Sequence, residues 1–86
     1  MKVQGAVIKE QGVTFAIVVV KSHVVRNASQ ANKAIQDYGT LFPRMPIVLM
    51  AQNYRGTPTY YGRRDIVRFL SKLPMHAISW KQYTFS

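Results

Sequence analysis

Cysteine is absent from the 86 residues, and acids are nearly so: Glu10, Asp37 and Asp65 are the only three. Without cysteine there are no disulfide staples, thiolate metal ligands or thiol redox chemistry, and a small secreted scaffold loses its usual support. Three scattered acids form no evident pair for two-metal or glycosidase chemistry. Histidine is limited to His23 and His76, and two imidazoles with few acids and no thiolates make a poor metal site. No metal and no cofactor are therefore expected, and no catalytic constellation is evident.

Long apolar runs are missing as well. The longest, residues 15–20, falls far short of the roughly 20 residues that a membrane helix needs. The opening Met1-Lys2-Val3-Gln4-Gly5 lacks the apolar stretch and cleavage site of a secretion signal, and Asn27-Ala28-Ser29 is then a coincidental match to a glycosylation acceptor. A cytoplasmic protein without a membrane span is the expectation.

What the chain has in excess is positive charge. Twelve Lys and Arg against three acids give a formal +9. The bias is uneven: five cations face two acids in residues 1–43, and seven face one in residues 44–86. Such a field attracts a polyanion, whether nucleic acid, an acidic protein or an anionic surface. An apolar share of 48% is ordinary for a folded chain, and the length fits one domain, residues 1–86.

The pattern predicts seven elements. Residues 3–9 alternate loosely and are rich in Val and Ile, as in a strand; Glu10-Gln11-Gly12 is a turn in which Gly12 takes positive φ. Residues 13–20 predict a strand buried on both faces, prolonged by residues 21–26 past a bulge. Asn27 or Ser29 caps a helix, with Gln30 placed as in a capping box, and Ala31, Ala34, Ile35 and Tyr38 recur at helical spacing up to Gly39. Residues 47–51 predict a central strand. Asn53-Tyr54-Arg55-Gly56 is turn chemistry, and residues 57–61 return as a short strand in which Pro58 argues for an edge position or a bend rather than a sheet centre. A second helix follows Gly62, with Asp65 in its first turn, a stripe of Ile66, Phe69, Leu70 and Leu73, and Pro74 as its stop. Residues 77–85 close with an alternating strand. The expected fold is α+β, in ββαββαβ order, with one mixed sheet and two helices packed on it.

Opposite the apolar stripe of the second helix lie Arg64, Arg68 and Lys72 at i, i+4 steps, with Arg63 at its start. Like charges so spaced cost about 0.2–0.5 kcal/mol per pair, and only Asp65 stands near enough to offset them. A solvated face is the ordinary reading of a charge run; here the acids are too few to neutralise it internally. Just upstream, Arg55, Tyr60, Tyr61, Arg63 and Arg64 interleave stacking rings with phosphate donors around glycines, which suits single-stranded RNA or DNA. The bland alternative is that Tyr60 or Tyr61 packs in the core and Tyr54 caps a turn; strand alternation sends Tyr60 and Tyr61 to opposite faces. Gly62-Arg63-Arg64 at a helix start also suits a single phosphate, although no Walker or dinucleotide glycine pattern accompanies it.

These residues predict a non-catalytic nucleic-acid-binding module, using Arg55, Arg63, Arg64, Arg68 and Lys72 for phosphates and Tyr60 or Tyr61 for stacking. The alternative is a protein-interaction module that meets an acidic partner with the same face, or that forms a homodimer through edge strands and the aromatics Trp80, Tyr83 and Phe85. A third reading is metal-independent RNA cleavage, with His23, His76 and Lys21 working beside the Arg cluster.

Overall fold

The computed structural model describes all 86 residues. The chain folds in the order β1 (Lys2–Glu10), β2 (Val13–Val19), α1 (Ser22–Val25), α2 (Ala28–Gly39), β3 (Ile47–Gln52), β4 (Pro58–Tyr61), α3 (Arg64–Ser71), a 3₁₀ turn (Met75–Ala77) and β5 (Lys81–Thr84). The strands form one mixed sheet in the order β4-β3-β2-β1-β5. Only β2 and β3 run parallel; every other neighbouring pair is antiparallel. The fold is α+β, as the alternation of strand and helix patterns predicts.

β2 is the middle strand, and its continuous apolar run follows from burial on both sides. Phe15 and Ile17 join Val48, Met50, Ile66, Leu70 and Ile78 in one core, which α3 covers. Ala16 and Val18 point the other way and join Ala31, Phe42, Ile47 and Leu49 under α2. The two main helices thus sit on opposite faces, making three layers. Near-complete exclusion of Phe15, Ala16, Ile17 and Val18 from solvent, at 0–1% exposure, marks this strand as the anchor of both cores.

The local signals act where they stand. Gln11 and Gly12 both adopt positive φ, 49° and 80°, as a two-residue hairpin turn between right-twisted strands requires. Asn27 caps α2, its Oδ1 accepting the Gln30 N–H at 3.1 Å. Pro58 opens β4, an edge strand, where no ladder bond is lost to its missing N–H.

Two segments differ most from the pattern-based expectation, and α3 also ends at Ser71, with Lys72 as its C-cap, short of Leu73 and Pro74. Residues 21–26 do not prolong β2. The Val20 N–H donates to the Met50 carbonyl at 2.9 Å, and a strand continuing further would run past the end of β3 and leave its backbone groups unpaired. Instead the chain turns into α1, tied to the end of β3 by Ser22 Oγ donating to the Gln52 carbonyl at 3.1 Å, and Val24 and Val25 pack on the α2-side core. The closing strand is also shorter, Lys81–Thr84 rather than residues 77–85. The Trp80 N–H donates to the Ile78 carbonyl and its indole Nε1–H to the Met75 carbonyl, both at 3.1 Å, so these donors are satisfied locally before the ladder to β1 begins. Tyr83 within the ladder and Phe85 just beyond it stand edge-on to Phe42, with ring centroids 5.3 and 5.5 Å away.

Candidate polyanion-binding face

α3 is the element that organises the candidate site. Ile66 and Leu70 are buried in the core, with Val67 and Phe69 half-buried beside them. Its orientation is fixed at its start by Gly62, where a Cβ would press on Val48 Cγ2 at 3.1 Å and on the Ile47 carbonyl and Val48 Cα at 3.2 Å. With the apolar stripe turned inward, Arg64, Arg68 and the C-cap Lys72 are all exposed. A helix rises about 1.5 Å per residue, so these cations succeed one another at steps of about 6 Å, comparable to the separation of neighbouring phosphates along a strand.

The chain forms two ion pairs in all. Lys33 meets Asp37 at 3.5 Å, one turn along α2, and Arg63 meets Asp65 at 2.7 Å. Arg64, Arg68, Lys72 and Arg55 have no carboxylate partner. Arg63 differs from them: its Nε and Nη2 donate to Asp65 Oδ1 and Oδ2, each at 2.7 Å. These hydrogen bonds hold the Asp65 carboxyl below the ordinary carboxylate range and raise Arg63. The candidate cations therefore divide into one that is internally satisfied and others that are not, a division that spacing along the chain does not reveal.

Tyr60 and Tyr61 face opposite cores, as strand alternation requires. Tyr61 donates its hydroxyl to Asn32 Oδ1 on α2 at 3.1 Å. The Tyr60 hydroxyl is buried without a hydrogen-bond partner, and this desolvation raises its pKa. Parts of both residues nevertheless line a groove of about 340 Å³ beside the sheet edge, together with Gly62, Arg64 and Arg68. Four of the seven predicted residues, Tyr60, Tyr61, Arg64 and Arg68, thus meet in one groove, which Lys72 does not line.

Arg55 stands apart. Gln52 pairs with Pro58 and Leu49 with Tyr61, so the loop carrying Arg55 lies at one end of β4 and Gly62-Arg63-Arg64 at the other. That loop is built around Asn53, whose Oδ1 accepts the N–H groups of Arg55 and Thr57 at 2.9 and 3.0 Å. It presents Tyr54, 90% exposed, with the Arg55 guanidinium 5.4 Å from the ring centroid. The most exposed tyrosine is therefore the turn residue rather than either strand residue. Its place at the tip of a turn-forming Asn-Tyr-Arg-Gly sequence was the available signal.

His23 lies on α1 and lines a pocket with Val19, Lys21 and Tyr38, among others; His76 lies in the 3₁₀ turn and is not part of that pocket. No group of three or more His, Asp or Glu is placed to hold a metal ion. No helix is long and apolar enough to cross a membrane. The chain matches no protein-family model, no curated protein and no solved structure.

Proposed function

We propose that this domain is a non-catalytic, cytoplasmic accessory module that binds RNA or single-stranded DNA across the outer face of α3. The observation that carries the proposal is the row of Arg64, Arg68 and Lys72, exposed at helical-turn steps and free of any carboxylate partner. Three unneutralised cations in register raise the local potential, and contact with phosphates releases condensed counterions, which drives binding at low salt. Tyr60 and Tyr61, in the groove beside Arg64 and Arg68, add aromatic surface, although their packing limits how much ring a base can cover.

The test is fluorescence anisotropy with a labelled single-stranded RNA. Binding is expected at about 50 mM salt and should weaken steeply towards 200 mM. Absence of binding at the lower salt contradicts the proposal, and equal competition by heparin reduces it to unspecific charge attraction.

A second reading, recognition of an acidic protein, is favoured by one observation: the exposed Tyr54 ring with Arg55 held over it. Tyrosine and arginine are the residue types that dominate protein interfaces. Self-association through the edge strands β4 and β5 is opposed by the +9 charge that two copies would bring together. Sedimentation equilibrium over a concentration range tests that point, and a monomer throughout removes it. RNA cleavage by His23 and His76 needs both imidazoles at one phosphate; RNA left intact by prolonged incubation discards it.

A further inference from the structure

α3 is flanked by two clefts that share Arg68. One is the groove beside Tyr60 and Tyr61. The other lies between α3 and the β1–β2 hairpin and encloses about 330 Å³. Val13, Phe15, Ile66 and Phe69 give it apolar lining, with Phe69 edge-on to Phe15 at a centroid distance of 6.5 Å. Its polar lining is divided by charge. Arg68 and Lys72 contribute unpaired cations, Asp65 a carboxylate already held by Arg63, and the half-buried Glu10 a carboxylate that forms no ion pair.

We infer that this second cleft receives one unpaired base of a single-stranded nucleic acid, with Arg68 and Lys72 holding the flanking phosphates. The inference rests on the reading of α3 as a nucleic-acid surface, and it adds the discrimination between single and double strands. The volume is at the lower end of the range for small-ligand sites. Apolar and aromatic lining suits a flat ring, since every base offers a π-face whatever its sequence. A duplex keeps its bases stacked inside and cannot fill the cleft without unpairing one.

Charge fixes the direction of entry. Glu10 is an acceptor when ionised. It repels a phosphate but meets the N–H groups on a base edge, so the base turns inward and the phosphates stay with Arg68 and Lys72. The same division argues against an acidic peptide as occupant, because its carboxylates would face Glu10.

The test compares a single-stranded DNA hexamer with the same backbone made abasic, which keeps the phosphates and lacks the rings. Affinity is read by anisotropy, and the methyl resonances of Val13 and Ile66 by NMR. The intact strand should bind about five-fold or more tighter and shift both methyl signals, while the abasic strand binds without shifting them. Val13→Trp, which fills the cleft, should bring the intact strand down to the abasic affinity; the wild-type methyl shifts carry the test if that variant does not fold. Equal affinities with unmoved methyls overturn the cleft and leave the α3 reading intact. Tighter binding of the intact strand with unmoved methyls places the stacking elsewhere and also overturns it. Binding of neither strand removes both. A poly-glutamate peptide that shifts the same methyls overturns the choice of occupant.

Discussion

Arg63 clasps Asp65 with two parallel hydrogen bonds of 2.7 Å, Nε to Oδ1 and Nη2 to Oδ2, at the opening of α3. The pair lies where the helix begins, so the carboxylate also sits favourably against the positive end of the helix dipole. The clasp removes Arg63 from the cations available to a partner and leaves Arg64, Arg68 and Lys72 as the exposed row.

Asp65 should accordingly titrate below the usual carboxylate value of about 3.9, chiefly because of the Arg63 hydrogen bonds. A depressed folded-state pKa contributes stability that is present above the unfolded value and is lost as pH falls through the folded one. The contribution of this exposed pair belongs to that acidic window. Side-chain carboxyl ¹³C shifts followed from pH 6 to about 2 are the direct readout. Arg63→Ala should move the Asp65 midpoint upward; an unchanged midpoint means that the clasp does not form in solution.

Asp65→Asn tests the division among the cations. It removes one negative charge and loosens the hold on Arg63, so single-stranded RNA should bind more tightly, with a salt slope steeper by up to about one unit. A weaker complex would mean that Asp65 positions the helix rather than withholding Arg63.

Tyr60 offers a stability test. Its hydroxyl is buried without a partner, and an unsatisfied buried polar group costs about 1–3 kcal/mol. Tyr60→Phe keeps the ring and removes the orphan, so thermal denaturation should show equal or greater stability, with a gain of up to about 1 kcal/mol. For a domain of this size that amounts to a rise of roughly 4–8 °C in Tm. A clear fall in Tm would indicate a hydrogen bond from solvent.

Two glycines should respond with opposite signs. Gly62→Ala places a Cβ against the backbone of Ile47 and Val48, which cannot yield as a side-chain tip can, and should cost about 1–3 kcal/mol. Gly39 closes α2 with open space around a would-be Cβ and without positive φ, so Gly39→Ala should stabilise by about 0.4–1 kcal/mol. Urea denaturation of both variants measures the contrast; equal effects would remove close packing as the reason for Gly62.

The residues differ in how far their sequence neighbours reveal them. Asn27 as a cap, Gly12 in its turn, Pro58 at an edge and the inward stripe of α3 are governed by groups within a few positions, and each is readable locally. The double burial of β2 is also legible, because only a covered strand tolerates an unbroken apolar run. What escaped depends on distant partners. α1 forms because β3 ends at Gln52, and the final strand is delayed because Trp80 finds Met75. Arg55 is separated from Arg63 by the β3–β4 register, and the cleft beside Lys72 exists because the hairpin around Gln11 lies near α3. Charge spacing locates the row Arg64, Arg68 and Lys72, whereas the two grooves beside it arise only on assembly.

That row is the centre of the account, and the salt dependence of binding addresses it most directly. The measurement is anisotropy of a labelled single-stranded RNA against log salt, for the wild type and for Arg64→Ala/Arg68→Ala/Lys72→Ala. If each cation meets a phosphate, the triple variant should bind more weakly and its slope should flatten by roughly 2–3 units. A folded triple variant with unchanged affinity and slope would contradict the assignment of nucleic-acid binding to α3.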